Sequence, residues 1–290
     1  MVNFLKFWKL YLVISLTVII AGLASIIFWG YNYSIDFVGG TNLDYQLKPV
    51  VSPEKIASVF EGKEVEVQEV TAQGDVVTVR TKAIDEVLEK EIRTKIESDF
   101  KTKVTVLKSE TVGPVIGKEL LNKTLIAAGI AVIGILLYVA YAFKNIKFAT
   151  AAIVALVHDL LVVFGSYSII SHFYGAQLDT LFVTAILTTM SFSVHDTIVV
   201  FDQIRDYRQR YGVGHIEEYA NRSLTETMVR SLNNSLTIVF MLLALVLLGG
   251  STIRFFALTL LIGTITGTYS SPFVATPVAV WLEKRSQKKS

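Results

Sequence analysis

Six stretches of this chain are long, apolar and nearly free of charge: Leu10 to Gly30, Thr124 to Phe143, Phe148 to Ile170, Phe182 to Asp202, Ser231 to Ile253 and Phe255 to Leu282. Each is about 20 residues or longer, the length a helix needs to cross a bilayer. Lipid offers the backbone no hydrogen-bond partners, so such a run must span as a helix. The rest of the composition agrees, since the 290 residues are 52% hydrophobic, only 18% charged, and have a mean hydropathy of +0.53. An ordinary soluble domain carries about 25% charge. The expected class is a membrane α-helical bundle of six transmembrane helices, with the first run, which ends in Phe28 and Trp29, read as an uncleaved anchor rather than a signal peptide.

Charge gives the orientation. Outside the segment from Tyr31 to Lys123 there are fourteen basic residues, and thirteen fall on one side of the six spans: Lys6, Lys9, Lys144, Lys147, Arg205, Arg208, Arg210, Arg222, Arg230, Lys284, Arg285, Lys288 and Lys289. Only Arg254 falls on the other. The positive-inside rule then puts both termini in the cytoplasm. Topology accounts for these basic loops, so no nucleic-acid partner is expected. With no cysteine, disulfides, thiolate catalysis and Cys-ligated metals are excluded.

The segment between the first two spans opens on YSIDFVGGT, where Gly39 and Gly40 admit backbone conformations closed to other residues. Beyond it Leu43, Tyr45 and Leu47 alternate as a strand. Ser52 and Pro53 then start a helix carrying Ile56, Val59 and Phe60 on one face. Val65 and Val67 begin a second strand, and Val76 to Val79 form a third after the turn at Gln73 to Asp75. Ile84, Val87, Leu88, Ile92 and Ile96 mark a longer helix, and Val104 and Val106 a last strand. The order βαββαβ is that of a ferredoxin-like α+β domain. Its 16 acidic and 13 basic residues nearly balance and it has no His, so it is expected to be a binding module rather than an enzyme or a metal site. Gly113, Pro114 and Gly117 in its exit read as a hinge or interfacial elbow. The organisation expected is an N-terminus and first span (1–30), an extracytoplasmic domain (31–120), spans two to four (121–202), a cytoplasmic amphipathic segment on the membrane surface (203–230), and spans five and six with a basic tail (231–290).

Two of the spans contain carboxylates. Asp196 is the only formal charge in the first twenty residues from Phe182, and a carboxylate at the middle of a membrane helix costs about 2.5–3.5 kcal/mol on insertion scales. Such a residue normally faces protein or water and marks an ion or substrate path. On a 3.6-residue period Asp196 shares a face with Thr189 and Ser193, bordered by His195 and Thr197. Asp159, beside His158, lies twelve residues into the third span and is the second candidate. Gly263 and Gly267 in the sixth span are read as packing residues, with Pro272 and Pro277 kinking its inner end. Ser231, Asn233, Asn234, Ser235 and Thr237 make the inner mouth of the fifth span polar.

Together these motifs resemble the SecF branch of the SecD/SecF family, relatives of the resistance-nodulation-division transporters. The stretch Ser34-Ile-Asp-Phe-Val-Gly-Gly40, Val112-Gly-Pro114, His158-Asp159, Asp196 through Asp202, Gly249-Gly250, Arg254-Phe255 and Gly267 through Ser271 follow the family's order across the chain. Ser34 stands where the family usually has Gly, and His195 where it usually has Asn. The resemblance implies a subunit of the bacterial inner-membrane Sec machinery, partnered by SecD and acting with the SecYEG channel on unfolded exported polypeptide. It implies H⁺ or Na⁺ as the coupling ion and no cofactor, catalytic residue or bound metal. Asp196 would be the ion-coupling residue, with Asp159 in support and Arg230 as modulator. His195, Ser193, Thr197 and His158 would be supporting polar residues, and Asp36, Gly39, Gly40, Gly113 and Pro114 the hinge motifs. Two other readings are weighed. An intramembrane aspartyl protease needs a carboxylate dyad sharing a proton, but the Gly-x-Gly-Asp pattern is missing ahead of Asp196. A scaffold in which the aspartates only join helices predicts that Asn would be tolerated at both.

Overall fold

The structure, a computed structural model, describes residues 3–143, 145–212 and 215–287, except for the side chains at 251, 252 and 287. Lys144, Lys288 and Lys289 of the basic set lie outside the described residues. The chain divides into two compact units: residues 33–126, and residues 1–32 together with 127–290.

The smaller unit starts with a single helical turn, and its first strand follows directly. Ser34 accepts a hydrogen bond from the Asp36 N–H and so caps α2 (Ile35–Val38). Gly39 and Gly40 follow at φ +79° and +136°, and release the chain into β1 (Gly40–Lys48). After α3 (Pro53–Glu61) come β2 (Val67–Gln73), β3 (Val76–Thr81), α4 (Glu86–Phe100) and β4 (Lys103–Val112). The sheet is antiparallel in the order β2-β3-β1-β4. Alternation along β1 turns Leu43, Tyr45 and Leu47 inward, all fully buried, against Ile56, Val59 and Phe60 of α3 and Ile92 and Ile96 of α4. Two expected boundaries move. Asp85 caps α4 through the Leu88 N–H at 2.8 Å, which leaves Ile84 ahead of the helix and Val87 exposed. Val65 is buried but precedes β2, which begins at Val67. The Tyr45 hydroxyl donates to buried Glu89 at 2.9 Å, and burial, with that carboxylate second, holds the phenol above its ordinary range.

The exit motif closes on the entry motif. A Cβ at Gly39 would sit 2.7 Å from the Pro114 Cα, and one at Gly117 would sit 2.9 Å from the Gly39 nitrogen. Only glycine permits backbones this close. Gly113, Pro114, Gly39 and Gly40 are thus one packed junction at the start of α5 (Pro114–Phe143), and Asp36 lies one turn before it.

The larger unit is helical: α1 (Trp8–Trp29), the later part of α5, α6 (Ile146–Tyr174), α7 (Thr180–Tyr211), α8 (Ile216–Leu248) and α9 (Ser251–Ser270), followed by a π-helical turn at Ser271–Ala275 and α10 (Thr276–Gln287). Among the described residues six helical segments are long and apolar enough to cross a membrane, so this is a multi-pass membrane protein. The last two spans separate at Gly249 and Gly250, so Ile253 opens the sixth span rather than ending the fifth.

The α6 helix is the most buried of the spans, and small residues bring its neighbours close. Gly22 of α1 meets Gly165 of α6 backbone to backbone, and Ser25 donates to Ser168 at 2.8 Å beside them. On α9, Gly263 abuts the Thr189 side chain and Gly267 abuts Ser193, as packing residues should.

The segment expected as an amphipathic hairpin on the membrane surface, residues 203–230, is helical on both arms, which extend α7 to Tyr211 and begin α8 at Ile216, with Gly212 at φ +88° capping the first. Helical hydrogen bonding does not stop where apolar sequence stops. Here the hairpin is riveted by Ile216, Tyr219 and Leu224, all buried, and by a hydrogen bond of 2.5 Å from the Tyr207 hydroxyl to Glu226.

Candidate functional site

The two aspartates lie on neighbouring helices and are treated oppositely. Asp159, on α6, is 5% exposed and has partners at both oxygens. One oxygen takes hydrogen bonds from Ser193 of α7 at 2.5 Å and from Ser270 of α9 at 2.7 Å. The other lies 2.8 Å from His158 Nδ1, whose Nε2 is 3.3 Å from the Tyr269 hydroxyl. His158 is therefore a satisfied core residue. One carboxylate ties three helices together, and charge-assisted bonds of this length are the strong kind.

The π-helical turn explains why consecutive serines can serve this node. Pro272 and Pro277 bring no N–H to the helical ladder. The chain adjusts by a wider turn, in which both the N–H and the hydroxyl of Thr276 reach the Ser271 carbonyl. Ser270 thereby points to Asp159, and the Ser271 hydroxyl lies 3.0 Å from Thr197 on α7. The expected kink is thus a local widening of the helix at its contact with α6 and α7.

Asp196, one turn along α7 from Ser193, is 9% exposed and has no hydrogen-bond or ion-pair partner among the described residues. It lines a small cavity of about 10 Å³ between α7, α8 and α9, together with Phe192, His195, Asn234, Ser235, Ile238, Thr264, Gly267 and Thr268. His195 lines this cavity and is an exposed residue rather than a core histidine. No hydrogen bond joins Asp196 to Asp159, so the pair does not have the proton-sharing contact of a carboxylate dyad. Arg230 is exposed on α8, one turn ahead of Asn234, and is not part of the cavity wall.

Sequence reasoning reached Asp159, Asp196, Ser193, Thr197 and both histidines, but missed Ser270 and Ser271 as partners of the aspartate helices. It also missed Glu283. That side chain is 5% exposed and lies 3.0 Å from Lys147 of α6 and 3.1 Å from Arg208 of α7, a buried carboxylate between two partly exposed cations at the basic ends of these helices. The available signal was that Glu283 is the sole acidic residue in the last span and its basic tail, from 255 to 290.

Comparison with known proteins agrees with this architecture. Residues 80–285 match the family described as protein export membrane protein SecD/SecF, C-terminal. The chain is 38% identical to the protein translocase subunit SecF of Anaerolinea thermophila over 97% of this chain and 94% of that one. It is 36% identical to the translocase subunit SecDF of Thermus thermophilus, covering 96% of this chain but 38% of that longer one. The crystal structure of SecDF from that organism, described as a translocon-associated membrane protein, superposes with a TM-score of 0.86 at 33% identity, covering 98% of this chain and 39% of that chain. Six spans, a βαββαβ unit between the first two, the family match over residues 80–285 and 38% identity over nearly the full length of a SecF subunit place this chain in the SecD/SecF family, among its SecF members.

Proposed function

We propose that this chain is the SecF-type half of a gradient-driven export device, in which Asp196 takes up and releases the coupling cation, H⁺ or Na⁺. The observation that carries the reading is the carboxylate itself: it is buried in a membrane span, has no partner among the described residues and faces a polar cavity. A charge used only for packing is expected to be hydrogen-bonded, as Asp159 is. Asp159 is the brace in this reading, and Arg230 modulates from just ahead of the fifth span, midway along α8.

The relatives named SecDF support a SecD-type partner, since there a segment matching this chain is joined to a longer one. The SecYEG channel and unfolded exported polypeptide are the remaining partners, both termini are cytoplasmic, and the membrane is the bacterial inner membrane. The strand order β2-β3-β1-β4 supports a ferredoxin-like fold for the unit between the first two spans, which stands outside and handles polypeptide.

The test is export into inverted vesicles with and without an ion gradient. Asp196→Asn keeps shape and hydrogen-bonding capacity but cannot ionise, so it should abolish stimulation by the gradient and leave gradient-independent export intact. Full stimulation by that variant, at normal abundance, would overturn the proposal and favour the scaffold reading.

A further inference from the structure

The cavity beside Asp196 contains a second group without a partner. Thr264 of α9 is 3% exposed, and its Oγ1 has no hydrogen-bond partner among the described residues. Other threonines of the same helix do not share this condition: Thr259, Thr266 and Thr268 each donate to the carbonyl four residues back, at 2.8, 2.7 and 2.7 Å. Burying an unpaired hydroxyl is costly, and this one has an ordinary helical acceptor it does not use.

The cavity's size and lining define what would complete both groups. About 10 Å³ is the volume at which one water molecule just fits. Ser235 and Thr268 are already committed, their hydroxyls 2.7 Å apart. That leaves Asp196, Thr264, Asn234 and His195 as the other polar residues of the lining. This set has too few free oxygens to replace the hydration shell of an alkali-metal ion, and imidazole is a poor ligand for one. It suits a water, which donates to a carboxylate and accepts from a hydroxyl. Among the described residues no charged side chain lines the cavity from α8 or α9, and on α6 Asp159 is taken up by Ser193, Ser270 and His158.

We infer that this cavity holds a single water bridging Thr264 Oγ1 to the Asp196 carboxylate, and that Thr264 is the residue that positions the coupling carboxylate for proton exchange. The inference rests on the reading of Asp196 as the coupling group and goes further in naming the bridging group and the proton as the ion. Thr264→Val removes the hydroxyl while keeping the shape, and Thr264→Ser restores it.

The experiment uses the complete complex in inverted vesicles, with infrared difference spectra of the Asp196 carboxyl identified by its loss in Asp196→Asn. Thr264→Val should lower gradient-stimulated export by up to about tenfold, the scale of one lost hydrogen bond to the bridging water. It should also move the carboxyl stretch to that of an acid without a hydrogen-bond partner. Thr264→Ser should restore both, and exchanging Na⁺ for K⁺ should change neither. An unchanged carboxyl band in Thr264→Val would overturn the inference, as would stimulation that follows Na⁺ concentration. Where the Val variant does not assemble, Thr264→Ala and Thr264→Ser supply the same comparison of bands. If Asp196→Asn blocks stimulation while Thr264→Val behaves as wild type, the bridge alone fails. If Asp196→Asn exports normally, the underlying reading fails.

Discussion

Asp159 and Asp196 are the same residue on adjacent membrane helices, and their surroundings differ in nearly every respect that matters. Asp159 accepts from two hydroxyls on two other helices and contacts a histidine. Asp196 accepts from nothing among the described residues and opens on a cavity. A buried carboxylate with all its partners is stabilised in one arrangement and resists change. One without partners is free to exchange a cation, at the cost of being held in a poor solvent. The difference teaches that a charge inside a membrane span is not by itself a functional assignment, because a neighbour with the same charge can be the mortar.

The largest expected effect follows directly. Asp159→Ala leaves the Ser193 and Ser270 hydroxyls facing an empty acceptor position beside His158, and should lower stability by about 1–3 kcal/mol for each donor left unsatisfied. Asp196→Ala should change it by less than about 1 kcal/mol, since no described contact is lost. Thermal unfolding of the detergent-solubilised complex would read both. Equal losses would erase the distinction between brace and carrier.

Smaller changes sharpen it. Ser193→Ala or Ser270→Ala removes one hydroxyl donor from the Asp159 carboxylate, and each should cost about 1.5–3 kcal/mol, the range for hydrogen bonds to charged groups. The two should be non-additive, because they share one oxygen. Thr197→Val removes only neutral contacts, with the Ser193 carbonyl at 3.1 Å and the Ser271 hydroxyl at 3.0 Å, and should cost about 1 kcal/mol in the same assay. A Thr197→Val loss as large as that of Ser193→Ala would mean that charge assistance contributes nothing at Asp159.

Much of this architecture is legible in the amino-acid sequence. Uninterrupted apolar runs force helices, and the alternation at Leu43, Tyr45 and Leu47 forces a strand with one buried face. Asp196 and Asp159 stand out because charge is rare in such runs. Their division of labour does not, because it depends on Ser193 and Ser270, which lie 34 and 111 residues from Asp159 and meet it only through packing. The π-helical turn is hidden for a similar reason: two prolines announce a disturbance but not which side chains it redirects. The stripe of Ile216, Tyr219 and Leu224 makes the helical character of residues 203–230 legible, but not that these helices continue the spans themselves, because polarity marks where lipid ends and not where helical hydrogen bonding ends. Glu283 looks in sequence like one more solvated charge of the tail, and only packing sets Lys147 and Arg208 on either side of it.

The most direct test of the central claim is cation flux through the complete complex in proteoliposomes under an imposed gradient, comparing Asp196→Asn with Asp159→Asn at matched abundance. Asp159→Asn keeps a side chain able to accept from Ser193 and Ser270, so flux should persist at a reduced rate, whereas Asp196→Asn should carry none above the protein-free background. Undiminished flux through Asp196→Asn, with flux lost only in Asp159→Asn, would reverse the assignment and contradict this account.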